Sequence, residues 1–211
     1  MGIKKNNGYH RKKRDAGNRK RKGVILVVAE GRNKTETNYL KVWNGKNYVI
    51  RFVPDTATDP VNMINALKKE YDSKELDPDL GDMAFCLVDH DCLESKDVAI
   101  MKADKLAANY GFKVLVSNPC FEVWYLCHYT YSTKQYTSSS DVIDDLRRYD
   151  PDYDKSDCKA ASCLISETEK AIKNAKKLDV FCEGQGRKKH THSYMPSTEV
   201  YEIIELLFRN N

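Results

Sequence analysis

From residue 23 onward the chain alternates short unbroken apolar runs with stretches whose apolar residues recur every three or four positions. Val24–Ala29, Tyr48–Val53, Met83–Val88 and Phe112–Ser117 are rich in β-branched and aromatic residues and have the length of buried strands. Lys34–Trp43, Pro60–Asp72 and Lys96–Tyr110 lie between them with helical periodicity, and Pro119–Tyr129 follows the last. Strict alternation of this kind predicts an α/β fold over residues 23–129: a mostly parallel sheet flanked by helices. Asp59-Pro60 and Asn118-Pro119 each read as an N-cap followed by proline at the first helical position, and Asn33 with Glu36 resembles a capping box.

The pattern changes after Tyr129. A polar stretch, Thr130–Ser140, precedes helical periods at Asp141–Tyr149 and Leu164–Leu178. A loop around Gly184–His192 then leads to an amphipathic helix, Ser197–Phe208, with Val200, Ile203, Ile204, Leu207 and Phe208 on one face. Residues 130–211 are therefore expected to form a helical extension packed on the core. The aromatic-rich segment Pro119–Tyr129 and the apolar face of the last helix are either docking surfaces or core, and core is the commoner fate of such stripes.

Charge adds a third region. The net charge of +4 conceals ten Lys or Arg against one acid within residues 1–22, a +9 segment that leaves the rest of the chain at −5. A basic arm on an acidic body fits a disordered tail that contacts nucleic acid by releasing counterions from phosphates; the plainer alternative is a solubilising tail. Seven cysteines without a Cys-x-x-Cys pair argue against a zinc ribbon or a disulfide framework and for reduced thiols, several at apolar positions. The N-terminus has no apolar signal region and no apolar run approaches membrane-spanning length, so the expected location is the cytoplasm. Gly-x-x-x-x-Gly-Lys-Ser/Thr and Gly-x-Ser-x-Gly are both missing, which removes the anchors of P-loop nucleotide hydrolysis and of serine hydrolysis.

The candidate chemistry lies in acids placed where strands end. Glu30 stands between the first apolar run and Gly31, and Asp89 and Asp91 flank His90 directly after the third. A carboxylate that follows a buried strand lands at the carboxyl edge of the sheet, where open α/β sheets bind ligands. In extended geometry Asp89 and Asp91 point to one side, and two like charges that close call for a hard cation such as Mg²⁺ or Mn²⁺. Glu122, in Ser117-Asn118-Pro119-Cys120-Phe121-Glu122, leaves the fourth run at the same edge. Glu36 is either a further site acid or a helix cap. Arg32 and Lys34 could meet a phosphate at the following helix N-terminus, or form surface salt bridges. Arg187, Lys188, Lys189, His190 and His192 form a cationic loop that either rides on substrate or is solvated; His-x-His lacks the further ligands of a zinc site. His128, among aromatics, reads as a core histidine.

Four segments carry a resemblance: VILVVAEGRNKTE (24–36), FCLVDHD (85–91), SNPCFEVWYLCH (117–128) and PSTEVYEIIEL (196–206). In order, they resemble the successive motifs of the RloB family, a Toprim-like group of bacterial abortive-infection and anti-phage loci. The resemblance implies a Toprim-like, Rossmann-like α/β core and a Mg²⁺-dependent nuclease, often encoded beside an ATPase of the ATP-binding-cassette or overcoming-lysogenization type. Glu30 matches the first Toprim acid, Asp89 and Asp91 the Asp-x-Asp pair, and Glu122 the acid of the Asn-Pro-Cys-Phe-Glu segment. The chain departs from the pattern at Ala29, where Cys is common, at His90, where Arg is common, at Cys92, where an acid often follows, and in a loop one residue longer between Gly31 and Thr35. The expected protein is a cytoplasmic defence nuclease in which Glu30, Asp89 and Asp91, with Glu122 as a further metal ligand, hold one or two Mg²⁺, or in which Glu30 acts as general base, on RNA such as tRNA in preference to DNA. The alternative is a nucleic-acid-binding or sensing subunit that cleaves nothing.

Overall fold

The computed structural model describes residues 21–30, 35–45, 47–54, 57–155 and 158–209, with backbone alone for 158–160 and 209. Most of the basic tail, together with Gly31, Arg32, Asn33 and Lys34, lies outside the described residues, so the expectations for the arm, for Arg32 and Lys34 and for an Asn33 cap rest on sequence.

Four strands, β1 (Gly23–Ala29), β2 (Tyr48–Phe52), β3 (Met83–Asp89) and β4 (Lys113–Asn118), run parallel in the order β2-β1-β3-β4. The apolar runs of β1, β3 and β4 split their side chains between two cores. Ile25, Val27, Phe85, Leu87 and Leu115 face one, and Leu26, Val28, Cys86, Val88, Val114 and Val116 face the other. Burial on both faces is why the runs read as continuous rather than alternating. Helix α1 (Thr35–Lys41) covers the first face; α2 (Pro60–Ser73) and α3 (Glu94–Asn109) cover the second. The helix side changes because the chain moves outward from β1 to β2 and then returns past β1 to β3. The carboxyl ends of β1 and β3 therefore border a topological switch point, the crevice in which such sheets place ligands.

The Asp59 cap forms as expected, its carboxylate accepting from Asn62 N at 3.0 Å ahead of Pro60. The second such expectation fails. Strand β4 runs through Asn118, and α4 (Glu122–Tyr129) starts three residues after Pro119. The Asn118 amide instead donates to the carbonyls of Thr191, His192 and Tyr194 at 3.1–3.3 Å, so the residue ties the sheet to the C-terminal loop.

The C-terminal half is not wholly helical. After α5 (Ser139–Leu146), α6 (Cys158–Leu164) and α7 (Thr168–Gly184), Ser197–Thr198 forms β5, antiparallel to β4, and only then does α8 (Val200–Arg209) begin. The extended backbone at 197–198 is fixed by tertiary pairing, which the amphipathic repeat of the following helix conceals in the sequence. Glu199 continues the edge: its carboxylate accepts from Val116 N at 3.0 Å and its own N–H donates to Val116 O at 3.1 Å.

Both stripes left open between docking and packing are core. Every residue from Glu122 to His128 is buried, as are Val200, Ile203, Ile204 and Leu207, while Phe208 at the end of the second stripe is 37% exposed with its ring edge-on to Trp43. His128 is the expected core histidine: Nδ1 lies 2.9 Å from Trp124 O, Nε2 3.0 Å from Tyr39 Oη, and burial lowers its pKa to about 4, so the ring is neutral. Cys86, Cys120, Cys127 and Cys182 are buried and unbridged, acting as small apolar residues.

Candidate functional site

Four elements bring acids to the carboxyl edge of the sheet. Glu30 follows β1, Asp89 ends β3, Asp91 lies two residues on, Glu36 is in the first turn of α1, and Glu122 opens α4. The Asp89 carboxyl feels all of the others. Burial is the largest cause that raises it well above the usual carboxylate range, and the charges of Glu36, Glu122, Asp91 and Glu30 add to the shift. Glu36 is pushed up to about 7, again first by burial, with Glu122 and Glu30 contributing and Lys155 opposing. Mutual repulsion of this size is sustained in a fold only where protons or cations answer it.

The Asp-x-Asp turn differs from the extended geometry expected for it. Asp91 and Cys92 both have φ of 58°, left-handed conformations that are unfavourable for residues with a Cβ. Neighbouring bonds impose them. His90 N donates to Ser117 O and Asp91 N to Pro119 O, each at 2.8 Å, so the turn is pinned to the end of β4. Beside the turn, Asp89 N donates to Glu30 Oε2 at 3.2 Å, and Asp91 Oδ1 accepts from Ser139 Oγ at 3.2 Å. Strain of about 1–3 kcal/mol per such residue is of the kind that sites store when surrounding contacts over-determine them.

His90, between the two acids, points away into the protein. It is fully buried, with Nε2 3.0 Å from Asp97 Oδ1, and Asp97 also binds His192 through its backbone N at 2.8 Å and its Nδ1 at 3.0 Å. Asp97 thus links the acidic turn to the C-terminal loop.

Three cationic or hydroxyl groups that the sequence reading did not single out belong to this site. Lys96 places Nζ 2.9 Å from Glu30 Oε1, 2.7 Å from Asp91 Oδ2 and 2.8 Å from Asp89 O. Lys155 Nζ lies 3.1 Å from Glu122 Oε1, and Tyr153 Oη donates to the same oxygen at 3.1 Å. Lys155 and Tyr153 carry no legible signal, because they come from an irregular segment more than thirty residues away. Lys96 does carry one: a lysine in the first turn of a helix opposes the helix dipole, and such a cation needs nearby anions.

The cationic loop is used within the molecule. Lys189 pairs with Glu199 at 3.3 Å and Asp179 at 3.5 Å; His190 bridges Asp104 and Glu199; His192 binds Asp97. Arg187 donates to Gln135 Oε1 at 3.2 Å and to Met195 O, and Lys188 is exposed. The structure therefore groups Glu30, Asp89, Asp91, Glu122 and Glu36, and sets most of the loop cations against carboxylates elsewhere.

The donor set suits a hard divalent cation. All five candidate ligands offer oxygen, and Glu36 Oε2 and Glu122 Oε2 are buried with no hydrogen-bond partner among the described residues. Among the described residues no three acids or imidazoles yet stand close enough to enclose an ion. The ammonium between Glu30 and Asp91 is Lys96.

A family model described as RloB-like protein matches residues 25–207, nearly the whole described chain. No curated protein and no solved structure matches. No helix among the described residues is long and apolar enough to cross a membrane.

Proposed function

The chain belongs to the RloB-like family, and from that premise we propose that it is a Toprim-type, Mg²⁺- or Mn²⁺-dependent nuclease that acts in the cytoplasm as an anti-phage defence effector. The observation that carries this reading is the convergence of Glu30, Glu36, Asp89, Asp91 and Glu122 on one sheet edge, with Asp89 and Glu36 driven upward by burial and by neighbouring acids. Structural ion pairs do not explain it, because two buried carboxylate oxygens have no partner. Glu30, Asp89 and Asp91 would hold the ion, with Glu122 and Glu36 behind them. A divalent ion there supplies activation of water and neutralisation of charge on the scissile phosphate and the leaving oxygen.

The protein's own groups set the geometry. The Asp89 N–H orients Glu30, the left-handed turn presents Asp91, and Tyr153 with Lys155 fixes one oxygen of Glu122 while leaving the other for a ligand. Alternatively to holding the ion, Glu30 would take a proton from an attacking water as general base. The substrate is nucleic acid, RNA in preference to DNA, with tRNA the target that would arrest growth. The basic residues 1–22 would grip its backbone. With no phosphate-binding nucleotide loop of its own, the chain is restrained by a separate ATPase of the ATP-binding-cassette or overcoming-lysogenization type.

Incubation of the purified chain with total RNA and with plasmid, in Mg²⁺, Mn²⁺ or EDTA, followed by end mapping, tests the proposal. Metal-dependent cuts that vanish in Asp89→Asn support it; cleavage indifferent to EDTA, or retained in Asp89→Asn, overturns the metal assignment. One observation favours a second reading, a binding or sensing subunit without cleavage: the Lys96 ammonium already neutralises part of the cluster. Tight nucleic-acid binding with no cleavage under any metal would select it.

A further inference from the structure

Lys96 sits at the third position of α3, within the first helical turn, where the dipole disfavours a cation. Its ammonium is nevertheless saturated by anions and one carbonyl. It contacts both Glu30 oxygens at 2.9 and 3.2 Å, Asp91 Oδ2 at 2.7 Å and Asp89 O at 2.8 Å. The side chain is only 17% exposed, and the Glu30 side chain 16%. Burial alone would favour the neutral amine, but the hydrogen bonds to Asp91 and Glu30 override it and raise the lysine pKa. These are short, charge-assisted bonds that restrain the end of β1 and the Asp91 turn together.

We propose that Lys96 is an internal counter-ion: its ammonium occupies the Glu30–Asp91 half of the carboxylate cluster, and a divalent cation enters that half only by displacing it. The proposal rests on the metal reading above and concerns what this chain's own lysine does to it. The oxygen atoms that Lys96 engages on Glu30 and Asp91 are the hard donors that a Mg²⁺ or Mn²⁺ ion requires. One set of lone pairs cannot serve both. A lysine ammonium is a point charge on a flexible four-carbon stem, so it can leave without disturbing the helix that carries it. Without an ion it holds the acids in register and screens their repulsion; with one it must turn away from them. Lys96 therefore weakens metal binding while it stabilises the metal-free fold, a competition in which the ordinary sign of a site mutation reverses.

The experiment is calorimetric titration of Mn²⁺ into the metal-stripped full-length chain for wild type, Lys96→Met, Lys96→Gln and Glu30→Gln, with circular dichroism to verify folding. Lys96→Met and Lys96→Gln are expected to bind Mn²⁺ at least roughly tenfold more tightly than wild type, about 1.4 kcal/mol, and Glu30→Gln more weakly. Equal or weaker binding by folded lysine variants, with wild type binding normally, overturns the displacement proposal and leaves the metal reading standing. Failure of every form to bind, wild type included, overturns the metal reading and this proposal with it. A measurement on wild type covers the case in which the variants do not fold. The Lys96 ammonium, followed by nitrogen-15 NMR, should be protected from exchange without metal and lose that protection as Mg²⁺ is added. A Lys96 signal unchanged at saturating Mg²⁺ refutes displacement.

Discussion

Replacing Glu36 by glutamine should stabilise the metal-free protein, and by an amount that depends on pH in a defined direction. The Glu36 carboxyl is 4% exposed and its pKa stands at about 7 in the fold against an ordinary 4.5. Because the folded value is the higher, the folded state retains a proton that the unfolded chain has lost between those two values. Stability contributed by that proton is fully present below about pH 4.5 and is lost as pH rises through about 7. At about 1.36 kcal/mol per unit, the loss is on the order of 3 kcal/mol. Glu36→Gln cannot lose a proton, so its advantage over wild type should grow from near zero at about pH 4.5 to that order at about pH 8, or roughly 6–12 °C in melting temperature for a chain of this length. Urea unfolding in EDTA across this range reads it directly. If the variant's advantage is independent of pH, or if wild type gains stability relative to it as pH rises, the argument that Glu36 is ionised against burial and like charge is wrong.

Three further outcomes are expected. Asp89→Asn and Glu30→Gln should fold and lose about 3 kcal/mol or more of transition-state stabilisation, roughly a hundredfold in cleavage rate, measured on end-labelled RNA; full activity in either folded variant removes that residue from the site. The His190 imidazolium, 18% exposed and held between Asp104 and Glu199, has its pKa raised to about 10 from 6.5. Its contribution, on the order of 5 kcal/mol, is present below about pH 6.5 and lost as pH climbs through 10, so His190→Gln should be destabilised at neutral pH and converge on wild type near pH 10 in urea titrations. Deleting residues 1–20 should flatten the salt dependence of nucleic-acid binding by about 0.7–0.9 in log–log slope per lost phosphate contact, and anisotropy across a salt series that shows an unchanged slope makes the arm a solubility element.

The parallel sheet was legible because both faces of β1, β3 and β4 are buried, which writes uninterrupted apolar runs such as Val24–Val28 into the chain. Glu30, Asp89 and Asp91 were legible for the same reason: an acid that directly follows such a run must sit where the chain leaves the core. Glu122 was found from its segment, although its helix starts later than the Asn118-Pro119 pattern suggests. What the sequence concealed depends on long-range partners. Asn118 looked like a cap because its bonds go to carbonyls more than seventy residues away. Ser197–Thr198 looked helical because a two-residue edge strand has no period of its own. His190 and His192 looked like a free cationic loop because Asp97, Asp104 and Glu199, which engage them, come from α3 and from the stretch beside β5.

The family match that contains the acids near 30 and 90 runs on to residue 207, and these long-range contacts join the two ends of that span. The turn that carries Asp91 is strained and would relax if its neighbours allowed. Two anchors oppose relaxation. One is the end of β4, through Ser117 O and Pro119 O. The other is the packing of the buried His90 ring, whose Nε2 lies 3.0 Å from Asp97, a residue itself bonded by His192. The loop that carries His192 is in turn fixed by the Asn118 amide and by the His190–Glu199 pair, and Glu199 is bonded to the edge of β4. The C-terminal segment therefore completes the sheet and reaches the helix beside the acidic turn through Asp97. The loop that carries His190 and His192 is thus tied by its imidazoles to α3 and to the stretch beside β5, while Lys96 is the group that bridges Asp91 and Glu30.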